Sequence, residues 1–346
     1  MKRAALGVMV LAIAVASGSA RAQADSTRRT HERAPRAARV TRSEGVPVLW
    51  ARLPDADMIS EDIAYDAPGE RFLVSSVHRG GIYAIANGHA TTLVKPRADS
   101  TWGMFALGVD TARGTLWATT AALAVAAGYA PADSGRSALL EYDLRTGAQR
   151  ARYIAPDSGV HVLGDLVVGE SGAVYVSDGM GGGVYALAPG GHALRVLAPR
   201  GTFRSPQTPA LSSDGATLFV ADYSAGIAAV DIASGRVTWL THSDSLVLAG
   251  IDGMYRIGRD LIVVQNGVEP NRIMRLTLDP SMHHVVRAVT MARGPAARSL
   301  THATISGSWL YFLADSGWER VADDGTMTPP ASAADAPKIM RVRIAP

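Results

Sequence analysis

Cysteine is absent from the 346 residues, which excludes a disulfide framework and thiolate chemistry. After the N-terminal segment no stretch repeats its apolar residues at the helical period. Catalytic signatures are missing as well. No G-x-S-x-G elbow, no H-E-x-x-H pair and no phosphate-binding P-loop occurs. What abounds is turn chemistry, with 35 glycines and 18 prolines, the composition of a chain that reverses direction often.

The one continuous apolar run is short. Residues 6–16 follow Lys2 and Arg3 and number 11, whereas a bilayer span needs roughly 20. Small residues come next, and Ala20-Arg21-Ala22 is an A-x-A cleavage site before Gln23. Residues 1–22 therefore read as a signal peptide, and the protein as periplasmic or secreted, with no stable membrane span after leader cleavage. Residues 23–44 are rich in arginine and poor in apolar side chains, the composition of a solvated, disordered linker. This segment also explains the sequence pI of 9.2. Without the first 42 residues the formal charge is near −4. The globular part is thus not basic, and no basic patch interleaved with aromatics argues for nucleic acid.

Residues 208–235 carry the pattern that organises the rest. An apolar run ends at Asp214-Gly215, a β-rich run (Leu218, Phe219, Val220) ends at Ala225-Gly226, and a third run ends at Ser234-Gly235. Strand, turn, strand, turn, strand is a meander. The same order recurs at residues 61–85, 106–144, 164–187, 250–278 and 300–344. Starts roughly 40–60 residues apart match the period of propeller blades. The expectation is an all-β, six-bladed β-propeller over residues 45–346. The last unit lacks an outer strand, and residues 48–53 precede the first. They are predicted to pair alongside residues 340–344 and close the ring, since an open edge invites aggregation. Residues 318–337 are polar and read as a surface loop.

In a propeller the innermost strands line a central channel. Polar residues at or just before those strands are Glu61 and Asp62, Trp102, His161 and Asp165, Gln207 and Thr208, Asp252, and Thr301 and His302. Carboxylates brought together repel unless a cation or proton sits between them. Oxygen donors from Asp, Glu and Gln suit a hard divalent ion, Ca²⁺ first, then Mg²⁺, Mn²⁺ or Zn²⁺. Asp178, Asp222 and Asp315 each end a second strand and read as turn-forming residues. The six tryptophans are too scattered to argue for a quinone-cofactor propeller, and no organic cofactor is expected.

Over residues 47–346 the chain resembles the gluconolactonase family, which also contains regucalcin and luciferin-regenerating enzyme. The resemblance rests on E-D-I-A-Y-D from Glu61, G-D-L-V-V from Gly164, S-S-D-G-A-T-L-F-V-A-D from Ser212 and I-D-G-M from Ile251. It implies one divalent cation in the channel of a six-bladed propeller and the opening of sugar or related lactones. By that resemblance Glu61 and Asp252 are metal ligands. Gln207 stands where the family has a metal-binding Asn, and Gly164 where it has a substrate-binding Asn, with Asp165 beside it. The expected set is Glu61, Gln207 and Asp252 for the metal, Asp252, Asp165 and His302 for catalysis, and His161, Trp102 and Thr208 for substrate. Two functions follow: an exported metal-dependent lactonase-like hydrolase, or a non-catalytic propeller binding a small ligand, peptide or protein partner at the channel mouth. A monomer is expected in either case.

Overall fold

The computed structural model describes residues 39–42 and 45–344. The segment read as a signal peptide, residues 1–22, and most of the arginine-rich segment lie outside the described residues. Six antiparallel sheets follow one another along the chain, and they form the six blades of a β-propeller. Blade I begins with Ser60–Asp66, blade II with Gly103–Asp110 and blade III with Leu163–Val168. Blades IV, V and VI begin with Pro206–Leu211, Ile251–Ile257 and Ala303–Ser306. Among the described residues no helix is long and apolar enough to cross a membrane.

Blade IV shows how the sequence builds the ring. Its strands are Pro206–Leu211, Thr217–Asp222, Gly226–Asp231 and Val237–Trp239. Side chains alternate between the two faces of a strand, and here both faces are buried. Leu218, Val220, Ala228 and Val230 pack with Tyr175, Val184 and Ala186 of blade III. Phe219, Ala221, Ile227 and Ala229 pack with Leu261, Val263 and Met274 of blade V. This two-sided burial is why L-F-V-A and I-A-A-V are unbroken apolar runs. The core lies between blades, so a blade alone would expose a face. Gly215 closes the first turn at φ 68°, a conformation costly for a residue with Cβ.

Closure occurs as the sequence predicts. Val48–Arg52 pairs antiparallel with Lys338–Arg343, with Val48 opposite Arg341 and Arg52 opposite Lys338. Trp50 also joins the last blade to the first. Its ring meets Phe72 of blade I at 4.7 Å and Tyr311 of blade VI at 5.9 Å, both edge-on.

Four residues of the arginine-rich segment, read from composition as disordered, form a strand. Arg39–Arg42 adds a parallel fifth strand to blade V, with Arg39 opposite Arg287 and Arg42 opposite Thr290. The outer strand Val285–Arg293 offers unpaired backbone N–H and C=O groups, and any extended segment can answer them regardless of its side chains. Composition alone could not show that pairing.

Removing residues 45–53 would strip the outer strand from blade VI and the Trp50 contact from the first and last blades. The expected result is loss of a cooperative unfolding transition near that of the full chain. Trp50→Ala alone should cost about 3 kcal/mol. Urea and thermal unfolding of both variants check this, and a truncated chain that unfolds like the intact one would refute the closure.

Candidate functional site

The first strands carry their irregularities at one end. Register breaks fall between Ser60 and Ile63, Met104 and Leu107, Leu163 and Asp165, Pro206 and Pro209, and Ile251 and Gly253. A β-bulge puts two residues opposite one and re-aims side chains. The bulges lie at Glu61-Asp62, Gly164, Gln207-Thr208 and Asp252, so polar residues at the strand starts turn toward the axis.

Glu61, Asp252 and His302 meet there. Each contributes one donor atom to a group in which all such atoms lie within 4.8 Å of one another. All three are buried, at 6%, 3% and 2% exposure. They come from blades V, VI and I, three neighbours around the ring. The His302 backbone N–H donates to the Glu61 carbonyl at 3.2 Å. The Asn266 amide holds Asp252 by donating to its Oδ2 at 2.6 Å and to the Leu300 carbonyl at 2.8 Å. The Trp318 indole N–H donates to Glu61 Oε2.

His302 sits among further carboxylates. Its Nε2 is 3.1 Å from Asp165 Oδ1 and 4.0 Å from Asp252 Oδ1. Its Nδ1 faces Asp62 Oδ1 at 3.4 Å but makes no well-directed hydrogen bond. Asp62 is already engaged, accepting from the Ile63 and Leu107 backbone N–H groups at 2.7 Å each. The Thr208 hydroxyl donates to Asp165 Oδ1 at 2.9 Å and lies 3.3 Å from His302 Nε2.

Burial and crowding shift the protons. Burial raises the Glu61 carboxyl to about 8, with the Asp252 charge adding to it against the pull of His302. Burial also raises Asp252 to about 6, while His302 and Asn266 oppose the effect and Asp165 adds to it. For His302 burial disfavours the charged ring, yet Tyr255, Asp165 and Asp62 together hold it well above the usual histidine range. The cluster thus binds protons tightly, and a cation that displaced them would relieve the same repulsion. Two carboxylates and an imidazole, all buried, fit a divalent ion. Among the ions expected from the sequence, the imidazole raises the standing of Zn²⁺.

Other residues named from the sequence have their own partners. The Gln207 amide nitrogen is tied back to Ser205, 2.9 Å from its Oγ and 3.2 Å from its carbonyl. His161 has both ring nitrogens engaged, Nδ1 with Asp178 Oδ2 at 2.7 Å and Nε2 with the Asp157 carbonyl at 3.1 Å. Trp102 precedes its blade's first strand and lies beneath Arg152 of the outer strand, 6.0 Å from its guanidinium. Asp178 and Asp222 do hold turns, Asp178 through Gly181 N–H and Asp222 through Ser224 N–H, and Asp315 instead pairs with Arg298 and Lys338.

Residues 319–335 lie at the surface as expected, none of them fully buried, and the structure corrects that reading only at the ends of the segment, above all at Trp318. Trp318 is buried with Ile59, Val77, Phe105, Val125 and Val162, because its indole completes the shell around Glu61. Asn266, beside Asp252, belongs to the site as well. Its position was available, since it follows the second strand of blade V as Gly179 follows that of blade III.

No family profile matches the chain, and no curated protein does. Solved structures share its fold. A PQQ-bound aldose sugar dehydrogenase from Streptomyces coelicolor is similar at a TM-score of 0.59 and 16% identity, over 89% of this chain and 99% of that one. A virginiamycin B lyase from Staphylococcus aureus follows at 0.58 and 13%, over 86% and 99%. A gluconolactonase from Xanthomonas campestris is similar at 0.56 and 16%, over 90% and 99%. At these identities the likeness is one of fold, to six-bladed propellers that include enzymes.

The raised pKa values have a sign. Between the ordinary value of 4.5 and about 8 the folded Glu61 keeps a proton that the unfolded chain releases, so stability falls as pH rises. His302 acts in the same direction, its stabilisation being complete below 6.5 and lost as pH rises through its folded value. In chelator the thermal midpoint should therefore drop from mildly acidic to mildly alkaline pH. Saturating Mn²⁺ or Ca²⁺ should restore it, more strongly at the alkaline end. A midpoint that climbs across this interval in chelator would contradict the assignment.

Proposed function

We propose that the protein is an exported, metal-dependent hydrolase of lactonase type. One observation carries this reading: Glu61, Asp252 and His302, distant in sequence, place their donor atoms within 4.8 Å of one another in a buried site. These three residues would hold the cation, with Ca²⁺, Mn²⁺ and Zn²⁺ as candidates. When bound, it would supply Lewis-acid polarisation of a lactone carbonyl. The protein's own groups do the rest. Asp165, fixed by the Thr208 hydroxyl, would accept a proton from the attacking water. Asn266 keeps Asp252 in place, and Trp318 keeps Glu61 in place. Four carboxylates (Glu61, Asp62, Asp165 and Asp252) outweigh one divalent ion, which favours an uncharged lactone over a phosphorylated or carboxylated one. The similarity of fold to a gluconolactonase supports the substrate class.

A second reading has its own observation. The His302 imidazole lies between Asp62 and Asp165 and, once protonated, supplies a positive charge without any ion. A propeller balanced in this way would bind a ligand without turning it over.

Metal analysis of the purified protein and a panel of lactones separate the two. The hydrolase reading expects a bound divalent ion and metal-dependent ring opening that Glu61→Gln and Asp252→Asn abolish. Asn266→Ala should weaken metal affinity or activity by about 10–100-fold. A protein that takes up no divalent ion and opens no lactone would leave the binding module standing.

A further inference from the structure

We infer that small molecules reach the buried group from the face of the first turns, where strand one passes to strand two, and that the opposite end of the channel is shut. The route goes beyond the hydrolase reading and does not depend on it.

The closed end lies where the first strands begin. Ile59 and Val77 of blade I, Phe105 and Val125 of blade II, Val162 before blade III and Trp318 of blade VI form one apolar layer. None is more than 9% exposed. Two loops build it. The segment after Trp309–Ala314 passes over blade I and meets the loop of blade II, where a Cβ at Gly325 would lie 2.4 Å from the Ala124 Cβ. Val321 and Met327 of the same segment pack against the layer, and the Arg320 guanidinium ties it to the Ala56 carbonyl. Lifting this lid would expose a continuous apolar surface to water, which the hydrophobic effect opposes, and would free the Glu61 carboxylate from its indole partner.

The other end is open. A cavity of about 670 Å³ has Asp62 and Thr208 among its lining residues at the inner end, and both touch His302. It continues along the first strands past Tyr65, Leu211, Arg256 and Ile305 to Ser171 and Ser213. Those two serines are exposed. The volume falls within the 300–1,000 Å³ of small-molecule sites. Any selection a ligand undergoes on entering would fall to these wall residues, with Arg256 the cation among the charged residues lining the cavity.

The absence of cysteine makes the route measurable. Thr208→Cys puts a single thiol at the inner end, and its rate of reaction with methyl methanethiosulfonate, a small neutral reagent, reports access without metal or substrate. Adding Ser171→Trp and Ser213→Trp at the open mouth should slow the reaction at least about tenfold, and adding Trp318→Ala in the lid should leave it unchanged. Met327→Ala replaces the lid variant if Trp318→Ala does not fold. Acceleration by the lid variant with no effect of the mouth variant would overturn the route. So would a Thr208→Cys thiol that resists the reagent until the chain is unfolded. Metal uptake and lactone turnover do not enter this readout, so its failure is separable from failure of the hydrolase reading.

Discussion

Like charge held in a small dry volume is the constraint that everything else in this molecule answers. Two charges about 4 Å apart interact by about 4 kcal/mol at an effective dielectric constant near 20. A whole domain is stable by only about 5–15 kcal/mol. Glu61 and Asp252, buried beside each other, carry their charge only at a cost that calls for a compensating charge. The protein offers compensation at several levels: protons on Glu61 and His302, backbone N–H groups on Asp62, and donors from Asn266 and Trp318. A divalent ion would replace the protons and leave the remaining bonds in place.

Such crowding persists only if the scaffold over-determines it. The ring does so through its closure. Val48–Arg52 completes blade VI, and Trp50 bridges that blade to the first, so Glu61 and His302 belong to blades that cannot separate. The bulges do the local work, turning consecutive strand residues inward where a regular strand would bury one of them between blades. Irregular pairing and charge are thus concentrated at one end of the first strands, and the interblade packing that offsets the charge is spread around the whole ring.

The two ends of the channel then serve different purposes. The end nearest the carboxylates carries an apolar lid, and the far end carries short polar turns. A lid beside the charged group removes water, and lower polarity strengthens every charge interaction beneath it. Had the channel been open at both ends, solvent would have screened the cluster, and Glu61 and Asp252 would not be shifted by burial.

Most of the fold was legible in the chain because its causes are local. Turn pairs such as Asp214-Gly215 and unbroken apolar runs such as L-F-V-A recur at the blade period, and the missing outer strand of the last unit announced its partner at residues 48–53. Glu61, Asp252 and His302 were legible as polar residues at strand starts. Their company was not. That His302 joins the two carboxylates depends on the ring setting blade VI between blades V and I. That Trp318, in a polar stretch, folds back over Glu61 depends on contacts some 260 positions apart, which no local pattern encodes. The sequence by itself determined how many blades form and how the ring shuts, since repeat and alternation are short-range properties. Only the tertiary structure decided which charged groups share a site and which end of the channel is sealed, because both depend on long-range packing among segments that no repeat relates.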